Sequence, residues 1–352
     1  MCSSDTIGPG GIFRALRELP EILRIADDVR RLAPEAWLIN FINPTSVMGI
    51  ALMRHAADVK SFALCDGNHM PYVRAMYLRQ LGILPEGTEA APPEMDEKFD
   101  LQIAGVNHCT WILRCFYDGK DYMPVLRSFV EREAKREYET RPTSKAKPRL
   151  NMNYALELMD LYGAFPTAVS HTKEYVPFYQ GYGVTPVTPE PIVCFDGYNR
   201  AEEMAEAWSE TEKIADGTTP IGEFFAKGRG DHATDIIESM WGNLGKKFYI
   251  NSPNRGAVGN LPDDAFLELL CDLDMKGPCP RPVGDMPRGL LGLTQQVLDT
   301  HELTVEAAVS CDRRILLRAL ATDPLVNNLS DAKHSMAELL EAERDHLDRR
   351  WF

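Results

Sequence analysis

The stretch Ala36-Trp37-Leu38-Ile39-Asn40-Phe41-Ile42 is almost continuously apolar and stops at Asn43-Pro44-Thr45-Ser46. A strand with no polar alternation has both faces covered, as a parallel strand between layers of helices does. Ahead of it, Ile12, Leu16, Leu19, Ile22, Leu23 and Ile25 mark the buried stripe of a helix running to about Leu32. After it, Pro44 and the hydroxyls of Thr45 and Ser46 open a second helix, through His55. Val59 to Leu64 then predicts a strand and Met70 to Leu81 a helix. Strand and helix therefore alternate, which specifies an α/β fold with a Rossmann-like, doubly wound parallel sheet.

Glu86 to Lys98 is rich in Pro and Glu and predicts a surface loop. Beyond it, Leu101 to Val106 and Thr110 to Tyr117 predict two strands, and Met123 to about Glu137 a helix. Arg141 to Pro148, basic and rich in breakers, predicts a mobile excursion. The remainder is mostly helical (Tyr154 to Tyr162, Ala201 to Ala215, Thr234 to Gly242, Leu290 to Glu302, Thr304 to Leu320, Asp331 to Leu347). Strand-like stretches at Phe248 to Ile250 and Phe266 to Asp272 interrupt it. The expected division is a partial Rossmann-like domain over 1–98 and an α+β, mostly helical domain over 99–352.

Charge and composition remove several classes of function. With 52 acidic against 38 basic residues among 352, the net charge is -14, and the dispersed Lys and Arg make no nucleic-acid surface. The densest apolar run, Val47 to Met53, is far shorter than the ~18 residues of a membrane span. Met1-Cys2-Ser3-Ser4-Asp5 has neither half of a secretory signal, so a cytoplasmic protein is expected. The 8 cysteines form no CxxC pair, which fits reduced thiols and excludes a zinc ribbon.

A dinucleotide fold opens with a strand running into GxGxxG. Gly181-Tyr182-Gly183 and Gly228-Arg229-Gly230 both lack the third glycine and a preceding strand. Polar residues do stand at strand ends, where ligands of open parallel sheets bind: Asn43, Cys65-Asp66 and Gly105-Val106-Asn107-His108. On that rule His108 is expected to face the crevice of Cys65. A thiolate with an imidazole suits Mn, Fe, Co, Ni or Zn, and Asp66 beside the thiolate is placed to give or take a proton. His69, His232, His301, His334 and His346 show no ligand spacing and are expected to be structural or exposed.

An ordered set of motifs resembles glycoside hydrolase family 4. It comprises Asp5-Thr6-Ile7-Gly8-Pro9-Gly10-Gly11, Asn40-Phe41-Ile42-Asn43-Pro44, Leu64-Cys65-Asp66, and Gly105-Val106-Asn107-His108-Cys109-Thr110-Trp111. His171-Thr172-Lys173-Glu174-Tyr175-Val176-Pro177, Arg200-Ala201-Glu202-Glu203, Asn251-Ser252-Pro253-Asn254 and Leu303-Thr304-Val305-Glu306 follow in the same order. The resemblance implies an NAD-dependent glycosidase, an exception to two-carboxylate hydrolysis. Hydride leaves C3 of the sugar, a base takes the C2 proton, the aglycone is eliminated with help from an acid, water adds and the hydride returns. A divalent metal, Mn in most members, polarises the C2 and C3 oxygens.

By the same resemblance Cys65 and His108 are the metal ligands, Asp66 the proton donor and Tyr175 the base, with His171 second. Asp5 tunes the site, and Asn43, Asn107, Arg200 and His171 bind the sugar. The His-x-x-Glu-Tyr-x-Pro form is closer to the branch that cleaves α-glycosides. NAD is expected from the family, but its glycine-rich turn and the first strand-helix units have no counterpart, since the pattern is entered at Asp5. The expected activity is therefore glycosidase, with an NAD-incompetent sugar- or metal-binding homologue and a lactate/malate-type dehydrogenase as alternatives. Helical C-terminal halves in this family commonly pair, so a homo-oligomer is expected.

Overall fold

A computed structural model describes residues 6–140, 151–179, 200–227 and 232–352. It opens with α1 (Gly8–Leu32), β1 (Leu38–Asn40), α2 (Thr45–His55), β2 (Ser61–Ala63) and α3 (Tyr72–Gln80), the alternation that the apolar pattern predicts. Both strands are shorter than their apolar runs. A helical turn, α4 (Pro93–Asp96), interrupts the expected loop before β3 (Phe99–Val106), β4 (Cys109–Tyr117) and β5 (Lys120–Asp121). Next come α5 (Met123–Thr140), α6 (Asn151–Tyr162), β6 (Phe165–Pro166), α7 (Val169–Tyr175), α8 (Arg200–Ala215), α9 (Ile221–Lys227) and α10 (His232–Gly242). The chain closes with β7 (Lys247–Pro253), β8 (Phe266–Asp274), β9 (Gly277–Pro280), α11 (Arg288–Ser310), α12 (Arg313–Thr322) and α13 (Leu329–Ala342). The expected excursion at 141–148 and both GxG segments lie outside the described residues.

One sheet joins both halves of the sequence, in the order β1-β2-β7-β8-β3-β4-β5, with β6 on β4 and β9 on β8. Among the strands of the described residues β1 and β2 pair in parallel; β2 meets β7 antiparallel at Ala63↔Asn251, and the other strand pairs are antiparallel. The Rossmann-like part is thus a two-strand parallel edge on a larger antiparallel sheet. The sheet continues across residue 98.

Helices α1, α2, α11 and α12 pack around a shared apolar cluster built from Ile12, Leu16, Leu19, Val47, Ile50, Val305, Leu316 and Leu320. Helix α2 is buried from Thr45 to Leu52, and its last turn, with Arg54 and His55, reaches solvent. Gly49 lies so close to Phe266 of β8 that a Cβ there would stand 2.2 Å from the ring. A helical glycine is needed at that contact and is otherwise unfavourable.

The expected break near Leu303 between two C-terminal helices does not occur: α11 is continuous to Ser310. Thr300 and Thr304 are inward-facing, and their hydroxyls bond the carbonyls of Gln296 and Thr300 one turn back, so the polar pair is satisfied inside the helix. The helix ends where Cys311 adopts a left-handed conformation (φ 53°), and Asp312 caps α12 by accepting from the Arg314 amide. Among the described residues no helix is long and apolar enough to cross a membrane.

Candidate active site

A single row of the sheet supports the candidate residues. Reading across the strands, Ala63, Asn251, Glu268, Gly105 and Thr110 are successive partners. Cys65 follows β2 two residues beyond this row, and Asn107 and His108 form the turn between β3 and β4, where Val106 pairs Cys109. Three antiparallel pairings separate β2 from β3, so the two strands run in opposite directions. The carboxyl-end rule therefore does not place His108 beside Cys65. The linkage is a side chain: Glu268, 2% exposed in the middle of β8.

Glu268 accepts through Oε1 from Nδ2 of Asn68, which closes the short helical turn Asp66–Asn68 after Cys65. Through Oε2 it accepts from Nδ2 of Asn107 at 3.1 Å. A carboxylate removed from water is costly unless hydrogen-bonded. Burial pushes its pKa above the ordinary carboxylate value, and the surrounding amides pull the other way. Asn68 also reaches the Thr110 hydroxyl at 3.4 Å. Nothing in the spacing of motifs pointed to Glu268. Its signal was an isolated acid inside Phe266-Leu267-Glu268-Leu269-Leu270, since a charge in a buried strand needs partners.

His108 is 8% exposed and sits at φ 66°, a left-handed position at the second place of the turn. Gly105 makes the turn possible: at φ 152°, a Cβ there would come 2.3 Å from the Cys109 carbonyl. Burial, with His171 and Arg14 adding to it, lowers the His108 pKa to about 3, so the ring is neutral at physiological pH. Its Nδ1 is buried without a hydrogen-bond partner. Cys65 is half-buried, and the Gly67 amide points at its sulfur at 3.5 Å.

These two residues fit a divalent cation. A neutral imidazole with an unpaired buried nitrogen and a thiol facing an N–H donor are a borderline-soft donor pair. Among the described residues no group of three or more His, Cys, Asp or Glu that could hold a metal is found. Asp66 begins the turn, but its side chain lies outside the described residues, as do Asp5 and the side chain of Arg200 at the start of α8.

Helix α7, not foreseen from the sequence, carries the other candidates. His171 stacks on His108 with ring centroids 4.2 Å apart and planes 11° apart. Its Nδ1 lies 3.3 Å from Oε2 of Glu174, itself 1% exposed. Tyr175 is fully buried. Its hydroxyl donates to the Asn107 carbonyl at 3.0 Å and shares a hydrogen bond with the Thr6 hydroxyl at 2.7 Å. Thr6 in turn accepts, through its carbonyl, from Nε2 of His301 at 3.1 Å. His301 is thus a structural histidine as expected, and it holds the segment against which Tyr175 rests. Asn43, partly buried after β1, accepts from the Thr45 hydroxyl at 2.7 Å.

A nucleotide finds less. The glycine-rich start of α1 gives its Gly8 amide to Oδ2 of Asp323 at 2.8 Å, so the chain's own carboxylate occupies that helix terminus. Among the described residues no strand-GxGxxG-helix cradle for a pyrophosphate is present. Cavities of about 740 and 800 Å³ open at α2–α11 and at the far ends of β3 and β7, away from Cys65 and His108.

Residues 103–326 match the model of the family 4 glycosyl hydrolase C-terminal domain, and residues 2–84 that of family 4 glycosyl hydrolase. An α-galactosidase of Bacillus subtilis is 30% identical, the match covering 96% of this chain and 69% of that protein. An α-galacturonidase of the same organism is 28% identical over 96% of this chain and 74% of its own length. Among solved structures, the Bacillus subtilis lplD protein superposes with a TM-score of 0.76 at 27% identity, covering 95% of this chain and 75% of that one. A 6-phospho-α-glucosidase from gut microorganisms, solved with NAD and Mn2+, shares the fold at a TM-score of 0.75 and 21% identity, covering 98% and 75%.

Proposed function

Because the chain belongs to glycosyl hydrolase family 4, we propose that it cleaves the O-glycosidic bond of a small α-glycoside with a divalent metal, Mn2+ first, held by Cys65 and His108. The α-galactosidase and α-galacturonidase among its relatives support the α linkage. The observation that carries the metal site is the buried, neutral His108 ring with its unpartnered Nδ1, on a turn tied through Glu268 to the turn of Cys65. Bound there, the ion supplies Lewis acidity at the C2 and C3 oxygens of the sugar. Hydride transfer at C3 belongs to NAD+ in this family, and the described residues contribute no pyrophosphate cradle for it.

The chain's own share is proton transfer and positioning. Of the two candidates for the base at C2, the geometry favours His171 over Tyr175. Its Nδ1 lies 3.3 Å from the Glu174 carboxylate, which orients the ring, and its side chain is 14% exposed. The Tyr175 hydroxyl is sealed from solvent and already donates to a carbonyl. Asp66, next in sequence to Cys65, protonates the leaving oxygen. Asn43 and Arg200 bind sugar hydroxyls and Asp5 tunes the site, while Asn107, its amide buried against Glu268, holds the turn of His108.

Turnover of p-nitrophenyl α-galactoside, α-glucoside and α-galacturonide with Mn2+ and NAD+ tests the proposal. Cys65→Ser should abolish it, and undiminished turnover in that variant overturns the ligand assignment. Tight Mn2+ binding with no turnover on any glycoside would favour a binding protein, and net NADH formation a dehydrogenase. We place the protein in the cytoplasm as a homo-oligomer. The exposed Trp208, Phe225 and Trp241 of α8, α9 and α10 supply apolar surface for a second copy, and light scattering of the purified chain reads its mass.

A further inference from the structure

Residues Cys65 and His108 leave the sheet from strands running in opposite directions, Cys65 into the short helical turn Asp66–Asn68 and His108 on the two-residue turn that joins β3 to β4. Something must fix the spacing of these turns if both are to reach one ion. The Cys65 turn ends at Asn68 and the His108 turn begins at Asn107, and both asparagines are at least 98% buried, each giving its amide to a different oxygen of one carboxylate. Directly opposite that carboxylate in the β7–β8 register, Asn251 buries a third amide, neither of whose polar atoms has a hydrogen-bond partner, and Oδ1 of Asn68 and of Asn107 have none either. The arrangement is therefore built around acceptance by Glu268, not around mutual pairing of the asparagines.

We propose that Glu268 is the positioning residue of the metal site: by accepting from Asn68 and Asn107 at once, it sets the separation of Cys65 and His108. It does not touch the ion; it acts through the backbone of the two turns. This rests on the assignment of Cys65 and His108 as ligands. Groups that orient first-layer ligands from behind typically change metal affinity by ~10–100-fold when removed. Leucine at 268 removes both acceptors in a similar volume. Glutamine keeps one acceptor and turns the other into a donor, which the unpaired Oδ1 of Asn68 or Asn107 can meet by an amide flip.

Mn2+ titration of the full chain, read by the EPR signal of free Mn2+, tests this on the wild type and on Glu268→Leu, Glu268→Gln, Leu273→Ala, Cys65→Ser and His108→Ala. Leu273, buried on the same strand away from both turns, controls for lost stability. The expected result is at least 10-fold weaker Mn2+ binding in Glu268→Leu and a loss of threefold or less in Glu268→Gln. Leu273→Ala should bind as the wild type does. With Co2+ in place of Mn2+, the thiolate charge-transfer band should weaken in Glu268→Leu. Wild-type affinity in Glu268→Leu overturns the positioning role, and so does an equal loss in Glu268→Gln, which would make charge the agent, or in Leu273→Ala, which would make it stability. Should Glu268→Leu fail to fold, Asn68→Ala and Asn107→Ala, each cutting one arm, are held to the same 10-fold criterion. Unchanged Mn2+ binding in Cys65→Ser and His108→Ala would instead overturn the ligand assignment itself.

Discussion

The imidazoles of His108 and His171 lie face to face, 4.2 Å between centroids and 11° between planes. One ring is buried and neutral, and the other is held by Glu174. The proposed metal ligand and the proposed base are thereby set side by side. His171→Phe keeps an aromatic ring against His108 and removes the proton acceptor. It should lower kcat/KM on a p-nitrophenyl α-glycoside by ~10²–10⁴-fold, the range of a lost general base, with Mn2+ affinity within threefold of wild type. It also leaves the buried Glu174 without this partner, so Tm should fall, by the equivalent of ~1–3 kcal/mol. Full activity in the variant would remove His171 from the chemistry.

Tyr175→Phe separates the two assignments of the base. The phenol supports the Asn107 carbonyl and the Thr6 hydroxyl. Its loss should cost ~1–2 kcal/mol of stability, since a buried carbonyl is left unpaired. Activity should stay within about tenfold, and the pH-rate profile should keep its shape. A loss beyond 10²-fold with unchanged Tm would return the proton transfer to Tyr175.

The sequence shows the strands and helices of this fold better than it shows what the sheet does with them. Continuous apolar runs mark β1 and β2, and the helical stripe of α1 is plain, because burial on both faces or on one leaves a local pattern. That β2 pairs with β7, nearly two hundred residues on, leaves none. Cys65 and His108 are legible in the sequence as candidate metal chemistry, but the rule for parallel strands does not apply between β2 and β3, which run in opposite directions. The tie between their two turns is Glu268, whose bonds to Asn68 and Asn107 leave no mark in the sequence. Helix α7 was missed because Val169–Tyr175 is too short to show a period. His301 shows no ligand spacing, and its place on the inward stripe of α11 with Val297 and Val305 marks it as buried.

Gly49→Ala should be costly although alanine is the better helix former. The added methyl would meet the Phe266 ring at 2.2 Å, across the contact that seats α2 on β8. Overpacking of this kind costs ~1–3 kcal/mol. A urea melt should show a lower midpoint with an unchanged slope, and an unchanged midpoint would mean that the ring can move aside.

Two buried groups pull stability in opposite directions with pH. Burial raises the Asp323 pKa to about 6, against bonds from the Leu325 and Gly8 amides that lower it. The folded chain therefore holds that proton more tightly than the unfolded one. Its contribution is complete below about pH 4, the unfolded value, and is lost as pH rises through about 6. His301 is lowered to about 4 by burial, only partly opposed by its bond to Thr6. Its unfolded form binds the proton first, so its contribution is present above about 6.5 and is lost as pH falls toward 4. Each shift of about two units corresponds to ~3 kcal/mol. In Asp323→Asn, the stability difference from wild type should move in the variant's favour between pH 4 and 7. In His301→Gln, which keeps a donor for the Thr6 carbonyl, it should move in the variant's favour as pH drops from 7 to 4. Melts of the three proteins across that interval, with parallel curves, would show that neither group is buried as described.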